Sequence, residues 1–326
     1  MRVLVTGGAG YIGSVVTAQL VDEGHDVTVV DNLLYGHREA VHEGARFAQG
    51  DILDAEWLGG LVAGEGPDAV VHLAAEASVH ESIGDPGKFY RANVCGGVNL
   101  LEAMEATGCQ RIVFSSTAAV YGEPEAVPIK EDSPLRPCNS YGDSKLAFER
   151  VLGWYRRAYG LRHISLRYFN AAGATEGLGE HRAAESHIIP LLLDVAAGHR
   201  EQFSLFGTDY DTPDGTCVRD YIHVSDIAKA HVLALLNIDR IEARAYNMGN
   251  GSGYTNRQVV DVVRAVTGRA ITVTDAERRP GDPAQLVASS ARIRAELGWG
   301  PEFPDLTTIV ETAWRWKCAH PRGYSS

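Results

Sequence analysis

The fold follows from one loop near the start of the chain, TGGAGYIG at residues 6–13. The loop joins a short β-branched run at 3–6, which predicts a strand, to a stretch with helical spacing at 12–23. Its glycines are spaced G-x-x-G-x-x-G, which lets backbone amides at the start of the helix approach a phosphate closely. A glycine-rich turn between a strand and a helix therefore predicts a dinucleotide-binding site.

Three glycines and one carboxylate define the first predicted cofactor contacts. Gly7 permits the tight turn, Gly10 lets amides approach a pyrophosphate, and Gly13 allows the helix to pack closely on the strand. Asp31 ends the second predicted strand, which begins at residue 26. An acidic residue there can accept hydrogen bonds from the adenosine ribose and repel a 2′-phosphate, so the sequence favours NAD over NADP. The alternative interpretation of Asp31 is a residue that only shapes a turn.

Predicted strands and helices alternate through the first half of the chain. The further strands are at 45–49, 68–74, 111–116 and 164–169, and the helices are at 88–106 and 140–159. Apolar strands that alternate with helices predict an α/β fold with a Rossmann-type, doubly wound parallel sheet covered on both faces.

The second half of the chain has a different composition. After residue 170 it is richer in glycine and turn residues, with helices predicted at 225–237, 255–267 and 305–320. Ser225 is the expected N-cap of the first of these helices. We expect a smaller, loop-rich C-terminal substrate lobe over the carboxyl ends of the strands. The predicted division is an NAD-binding domain at 1–175, with a returning segment near 224–248, and a substrate lobe at 176–223 and 249–326.

Composition narrows the possible partners and the compartment. The 326 residues are 45% hydrophobic and carry a formal charge of −12, which excludes a disordered chain and makes nucleic acid or a membrane an unexpected partner. Five cysteines without a C-x-x-C pair predict free thiols, with neither a disulfide framework nor a metal site. The chain enters its first strand directly, with no leader or long apolar run, so we expect a cytoplasmic protein.

A tyrosine and a lysine four residues apart on the predicted helix 140–159 are the candidate catalytic pair. Tyr141 and Lys145 share one helix face, and a nearby ammonium lowers the pKa of a phenol from its usual value of about 10. A tyrosine tuned in this way can take a proton from a sugar hydroxyl. Thr117 follows the strand at 111–116, where its hydroxyl can share a hydrogen bond with the same substrate oxygen. Taken one at a time, these residues also fit an exposed helical pair and a strand-end turn.

The chain resembles, nearly end to end, the extended short-chain dehydrogenase/reductases, and within them the branch that epimerises UDP-hexoses at carbon 4. The matching segments are TGGAGYIGS at 6–14, DNL at 31–33, FSSTAAVYG at 114–122, SYGDSK at 140–145, RYFNAAGA at 167–174, FGTDYDTPDGTCVRDYIHVSD at 206–226, RRPGDP at 278–283 and WRWKCAHPRGY at 314–324. The glycine loop and the Tyr-x-x-x-Lys pair mark only the superfamily. The segments at 206–226 and 314–324 are more specific to the epimerase branch.

The resemblance implies residue roles. Tyr141 is the implied base, Lys145 its electrostatic partner and a ribose contact, and Thr117 the hydrogen-bond partner at the sugar 4-hydroxyl. The implied cofactor contacts are Gly7, Gly10, Tyr11, Ile12, Gly13, Asp31, Asn32, Asp51, Ile52, Leu73, Ala74, Asn93, Lys145 and Tyr168. The implied substrate contacts are Thr117, Tyr141, Asn170, His187, Phe206, Arg219, Arg279, Asp282 and Leu286. The two arginines also fit on chemical grounds, because forked guanidinium donors suit a diphosphate.

The activity implied by the resemblance is an isomerase of galactose metabolism that interconverts UDP-glucose and UDP-galactose. Tyr141 would take the 4-hydroxyl proton while hydride passes from carbon 4 to NAD⁺. The 4-keto sugar would then turn over, and hydride would return to its opposite face. The resemblance also implies a homodimer built through a helix bundle.

Two departures from the family pattern leave alternatives open. Many relatives place a lysine near position 76 or 77, beside the cofactor phosphates, whereas this chain has Glu76 and Ala77, which puts tight cofactor retention in question. Leu286 stands where a bulky tyrosine excludes N-acetyl sugars, so UDP-N-acetylglucosamine remains an alternative substrate, as do UDP-glucuronate and UDP-pentoses.

A sugar-nucleotide 4,6-dehydratase needs an acid just after the strand-end threonine, where this chain has alanines at 118–119. A non-catalytic NAD-binding protein is the alternative from another class.

Overall fold

Runs of β-branched and leucine residues form the strands of the protein, in a computed structural model that describes residues 1–182, 184–242, 244–279 and 281–324. The strands are β1 Arg2–Thr6, β2 Asp26–Asp31, β3 Arg46–Gln49, β4 Ala69–His72, β5 Arg111–Thr117, β6 Arg162–Tyr168, β7 Asn170–Ala172, β8 Phe203–Phe206, β9 Val218–His223, β10 Ala245–Met248, β11 Gly253–Thr255, β12 Val273–Ala276 and β13 Gln285–Leu286. Pro280 of the 278–283 motif, Ala183, and the last two positions of the predicted lobe lie outside the described residues.

Seven of these strands form one sheet, in the order β10-β6-β5-β4-β1-β2-β3. Every neighbouring pair in the sheet is parallel. The order reverses between β1 and β4, and ligands bind in open α/β sheets outside the carboxyl ends of the strands at such a switch point. The predicted doubly wound parallel sheet is therefore confirmed.

Helices cover both faces of the sheet. The helices of the described residues are α1 Tyr11–Asp22, α2 Ala55–Glu65, α3 Val79–Gly84, α4 Pro86–Tyr90, α5 Gly96–Thr107, α6 Ser140–Tyr159, α7 Ile188–Ala196, α8 Val224–Asn237, α9 Asn256–Thr267, α10 Ala291–Leu297 and α11 Leu306–Ala319. Successive residues of β1 point to opposite faces, as a strand requires. Val3 and Val5 pack in a core with α1 and α8, whereas Leu4 packs in a second core with α2, α5 and α6.

The second half of the chain adds a smaller layer over the carboxyl ends of these strands. Strand β9 pairs with β7, β11 and β13, and β8 pairs with β12. A third apolar core gathers α7, α9 and α11 around these short strands. Strand β10 instead hydrogen-bonds to β6 at the edge of the large sheet. The division into two domains at the boundaries given above stays a prediction.

Three local predictions need correction. Ser225 is wrong as an N-cap, because the helix begins at Val224 and the amide of Ser225 donates to Nδ1 of His223 (3.1 Å). The predicted helix 88–106 is interrupted by a π-helical turn, Arg91–Cys95, between α4 and α5. The strand predicted over 68–74 ends at His72, which releases the next residues into a loop.

Two general expectations concern the thiols and the membrane. The five cysteines, all of which lie within the described residues, are free thiols as predicted. Among the helices that the structure describes, none combines the length and apolar character needed to cross a bilayer.

Candidate active site

A cavity of about 840 Å³ opens at the carboxyl ends of the sheet strands, beneath the smaller layer. Most of the residues predicted for the site line it: Gly7, Gly10, Tyr11, Ile12, Gly13, Asp31, Asn32, Asp51, Ile52, Leu73, Ala74, Thr117, Tyr141, Lys145, Tyr168, Asn170, His187, Arg219, Arg279 and Asp282. The residues described as lining the cavity do not include Asn93, Phe206 or Leu286. The topology thus collects residues that lie far apart in sequence into one space.

The glycine loop is packed too tightly for side chains. Gly7 has φ +74°, and a Cβ at this position would lie 2.5 Å from the amide nitrogen of Ala74. A Cβ on Gly13 would collide with the carbonyl oxygen of Gly7, so the close approach that requires Gly13 is to the loop itself rather than to the strand. Helix α1 begins after Gly10, which supplies no side-chain cap. Its first amides therefore face the cavity as donors for an anion, which fits a dinucleotide pyrophosphate.

Asp31 is fixed beside this loop at the end of β2. Its carboxylate is almost fully buried and accepts hydrogen bonds from the amides of Ala9 (3.0 Å) and Leu33 (2.9 Å). Burial raises the pKa of Asp31 and outweighs the opposing effect of the two amides. Nearby, the Asn32 amide donates to the Asp51 carboxylate (2.9 Å), which joins the loops after β2 and β3. This wall of the cavity offers carboxylate acceptors suited to ribose hydroxyls.

Tyr141 and Lys145 extend from one face of α6 toward the end of β5. Lys145 is buried, and its Nζ donates to the carbonyl oxygen of Ser115 (2.9 Å). Burial lowers the pKa of Lys145 to about 7, against the opposing charge of Glu149. Lys145 is therefore held in place by β5, the strand that ends in Thr117.

The electrostatic surroundings of Tyr141 differ from those expected from sequence. Burial raises the pKa of Tyr141, and the influences that oppose burial are a hydrogen bond with Thr117 and then the positive charge of Arg182. Arg182 lines the same cavity and was not among the predicted site residues. The phenol therefore stays protonated in this environment until further positive charge is placed beside it.

Arg182 belongs to a charged cluster in the segment before α7. Its Nε donates to Glu180 (3.0 Å), and the same carboxylate oxygen lies 2.6 Å from Nδ1 of His187. The charge of Glu180 raises the pKa of His187. Glu185 accepts hydrogen bonds from the amides of Ser186 and His187. The only sequence feature that pointed to this cluster was the irregular stretch after residue 170, because long loops in compact proteins usually carry function.

The same cluster bears on the expectation that the protein has no metal site. Glu180, Glu185 and His187 present possible ligand atoms within 4.8 Å of one another. Oε1 of Glu180 is already shared by Arg182 and His187, and Glu185 is held by backbone amides. We therefore interpret the cluster as a set of mutually neutralising charges beside the cavity and not as a metal site.

The predicted substrate residues fall into two groups. Arg219 and Arg279 both line the cavity, and Nη2 of Arg219 lies 4.0 Å from the carboxylate of Asp282. Phe206 lies behind Arg279, whose guanidinium stacks 3.9 Å from the centre of the ring. Leu286 pairs with Arg219 in the register of β13 and β9. The two arginines thus present cations to the cavity, while Phe206 and Leu286 adjoin them.

Asn93 braces the wall of the cavity. It is buried in the π-helical turn, and its side-chain oxygen accepts from the amide of Glu76 (2.8 Å). Its side-chain nitrogen donates to the Glu76 carbonyl (3.0 Å) and to the hydroxyl of Ser144 (2.9 Å). These bonds tie the loop after β4 to α6, so Asn93 positions that loop.

A glycine-lined anion cradle and a tyrosine–lysine pair that open into one cavity define a dinucleotide-dependent enzyme of the short-chain dehydrogenase/reductase class. The cradle fits a dinucleotide because Gly7 and Gly13 let the loop pack closely on the backbone around it, and the first amides of α1 then remain as donors for a pyrophosphate.

The chain belongs to the NAD dependent epimerase/dehydratase family, whose sequence model matches residues 3–249. A UDP-glucose 4-epimerase from Corynebacterium glutamicum is 51% identical over 319 residues, which cover 98% of this chain and 96% of that protein. The crystal structure of UDP-glucose 4-epimerase from Brucella ovis in complex with NAD is 45% identical, with a TM-score of 0.92, covering 96% of this chain and 97% of that one. The crystal structure of the Bifidobacterium longum enzyme in complex with NAD⁺ and UDP is 35% identical, with a TM-score of 0.94, covering 99% and 100%.

Proposed function

We propose that this protein is an NAD-dependent UDP-glucose 4-epimerase that interconverts UDP-glucose and UDP-galactose. The observation that carries the proposal is the meeting of Thr117 and Tyr141 with the glycine loop and two arginines in one cavity. The full-length similarity to UDP-glucose 4-epimerases supports the same reaction and the same substrate.

Bound NAD⁺ supplies the acceptor and later the donor of hydride, together with a positive charge near the phenol. Tyr141 takes the proton of the sugar 4-hydroxyl, and Thr117 holds that oxygen by a hydrogen bond. Because burial raises the pKa of Tyr141, the phenol needs cations beside it to act as a base at neutral pH. Arg182 already acts on Tyr141, and we assign Lys145 to the same task in its protonated form, which a pKa of about 7 leaves partly populated at neutral pH.

The other assignments follow the cavity walls. We propose that the amides after Gly10 hold the pyrophosphate, that Asp31 accepts from the adenosine ribose, and that Asn93 acts by bracing the loop after β4. Arg219 and Arg279 are proposed to hold the diphosphate of the UDP-sugar, because both present guanidinium groups to the cavity.

Assembly and location belong to the same proposal. We propose a homodimer built through a helix bundle, and Trp154, which projects from α6 with 64% of its surface exposed, supports a contact through that helix. We also propose a cytoplasmic location, because five free thiols suit a reducing compartment.

The test is an assay without added cofactor. Purified protein is incubated with UDP-galactose, and the two hexose nucleotides are separated by chromatography. We expect conversion toward UDP-glucose, and parallel reactions with UDP-N-acetylglucosamine and UDP-glucuronate measure the substrate range. Absence of any conversion of UDP-galactose would contradict the proposed function, and conversion of only another sugar would move it to that substrate.

A further inference from the structure

Three side chains from two loops and a short helix meet at the rim of the cavity. Tyr35 lies in the loop after β2, Glu76 in the loop after β4, and Lys88 on α4. The Tyr35 hydroxyl donates to Oε2 of Glu76 (3.0 Å), and Nζ of Lys88 donates to the Tyr35 hydroxyl (2.9 Å). The Lys88 ammonium also lies 3.1 Å from the same oxygen of Glu76. We call this set the Tyr35–Glu76–Lys88 bridge.

The sheet topology places the bridge above the glycine loop. In the strand order, β1 lies between β4 and β2. Neighbouring strands are about 4.8 Å apart, so the loops after β2 and β4 start about 10 Å from each other, with the loop after β1 between them. The loop after β1 is the glycine loop at 6–13. A bond from the β2 side to the β4 side must therefore pass across the path of a dinucleotide seated on that loop.

The carboxylate of Glu76 and the ammonium of Lys88 neutralise each other within the bridge. Glu76 is only 7% exposed, and a buried carboxylate persists as an ion only when it is paired. Lys88 supplies that partner and makes a second ion pair with Glu81 (2.8 Å). Burial acts to lower the pKa of Lys88, but its hydrogen bonds to Glu81, Tyr35 and Glu76 outweigh burial and raise it. The ammonium is therefore charged throughout the neutral range.

We infer that the Tyr35–Glu76–Lys88 bridge retains the cofactor by closing over the bound dinucleotide, and that it must open before the dinucleotide can leave. This inference rests on the proposed function, since an enzyme that returns its hydride to the same sugar must keep its cofactor through both half-reactions. The bridge also places an ammonium near positions 76–77, where this chain has no lysine, because it holds Lys88 beside Glu76.

The test measures release of the cofactor rather than turnover. Purified protein loaded with NAD⁺ is mixed with an excess of isotopically labelled NAD⁺, and the protein-bound fraction is isolated and counted over time. Tyr35→Phe removes the hydroxyl that joins the two loops but leaves the 3.1 Å pair of Glu76 and Lys88 in place. We expect this variant to exchange its cofactor about tenfold faster than the native protein, as loss of hydrogen bonds to charged partners would allow.

A second variant and a matched control complete the design. Lys88→Met removes the ammonium that contacts both Tyr35 and Glu76 and leaves only the hydrogen bond from Tyr35 to Glu76 (3.0 Å), so it should also exchange faster than the native protein. Tyr246→Phe is the control, because its hydroxyl also donates to a glutamate, Glu296 (2.7 Å), but at the far edge strand of the sheet. It should exchange at the native rate.

Each outcome decides between the two proposals. Native exchange in Tyr35→Phe overturns the bridge, even if Lys88→Met is fast, because charge pairing alone would then explain retention. Native protein that binds no nicotinamide dinucleotide contradicts the proposed function as well as the bridge. Tight native binding with equal exchange in all variants contradicts the bridge alone.

Discussion

Replacing Lys145 with methionine should stabilise the cofactor-free protein at neutral pH while disabling the site. Lys145 is buried, and its pKa falls from 10.5 to about 7 because burial disfavours the charged ammonium. Each pKa unit corresponds to about 1.4 kcal/mol, so the drop amounts to about 5 kcal/mol. Methionine has a similar shape without the charge, but its introduction loses the hydrogen bond to Ser115, a cost of about 1 kcal/mol. The expected net gain is therefore about 4 kcal/mol.

The sign of this effect fixes its pH dependence. Below pH 7 the lysine is charged in both the folded and the unfolded chain, so the native protein carries the full cost of the buried charge. Between pH 7 and 10.5 the folded state releases the proton first, and the cost shrinks as the pH rises. Above pH 10.5 both states are neutral, and the advantage of the methionine variant disappears.

Urea unfolding of the cofactor-stripped proteins between pH 6 and 10 measures the difference in free energy of unfolding. Lys229→Met is the matched control, because Lys229 forms a partly exposed pair with Glu302 and should show little change at any pH. A methionine variant at position 145 that is less stable than the native protein at pH 6, or a difference that does not vary with pH, would refute the reasoning.

The remaining predictions concern the cavity. Tyr141→Phe should lower kcat at least about a thousandfold, because it removes the proton acceptor. The amount of bound NAD, measured after denaturation, should stay at the native level. Retained turnover would contradict the role of the phenol. Gly13→Ala should abolish copurified NAD, because its Cβ meets the Gly7 carbonyl, and native NAD content would show that the loop does not hold the cofactor. Arg219→Lys and Arg279→Lys should each raise KM for UDP-galactose about tenfold with a smaller effect on kcat. An unchanged KM in both variants would show that these arginines do not bind the diphosphate.

The sequence predicted the elements that local patterns encode. Helix α6 has the predicted bounds, because Asn139 caps it by accepting from the amide of Gly142 (2.8 Å) and Gly160 ends it in the left-handed conformation. Helix α2 was not predicted, although Asp54 caps it by accepting from the amide of Trp57 (3.0 Å). Its amphipathic pattern is weak because three glycines interrupt it, so beyond its cap the helix depends on tertiary packing against the sheet and α5.

The limits at the site have a different physical cause. The glycine loop and the Tyr141–Lys145 pair are local patterns, so their placement in one cavity could be anticipated from the order of strands and helices. Arg182 and the Tyr35–Glu76–Lys88 bridge depend on where irregular loops pass in space, which no periodicity encodes. The helical pattern across 91–95 likewise gave no sign that Asn93 would turn inward through a π-helical turn to hold the loop after β4.

The most direct measurement follows the hydrogen at carbon 4 of the sugar. UDP-galactose labelled there with deuterium is converted by the native protein in ordinary water, and the product is examined by mass spectrometry. If hydride moves to the nicotinamide and back within one closed site, the deuterium remains at carbon 4 of UDP-glucose. Loss of the label to solvent during interconversion would contradict the account, because it would mean that the bond is broken by proton removal rather than by hydride transfer.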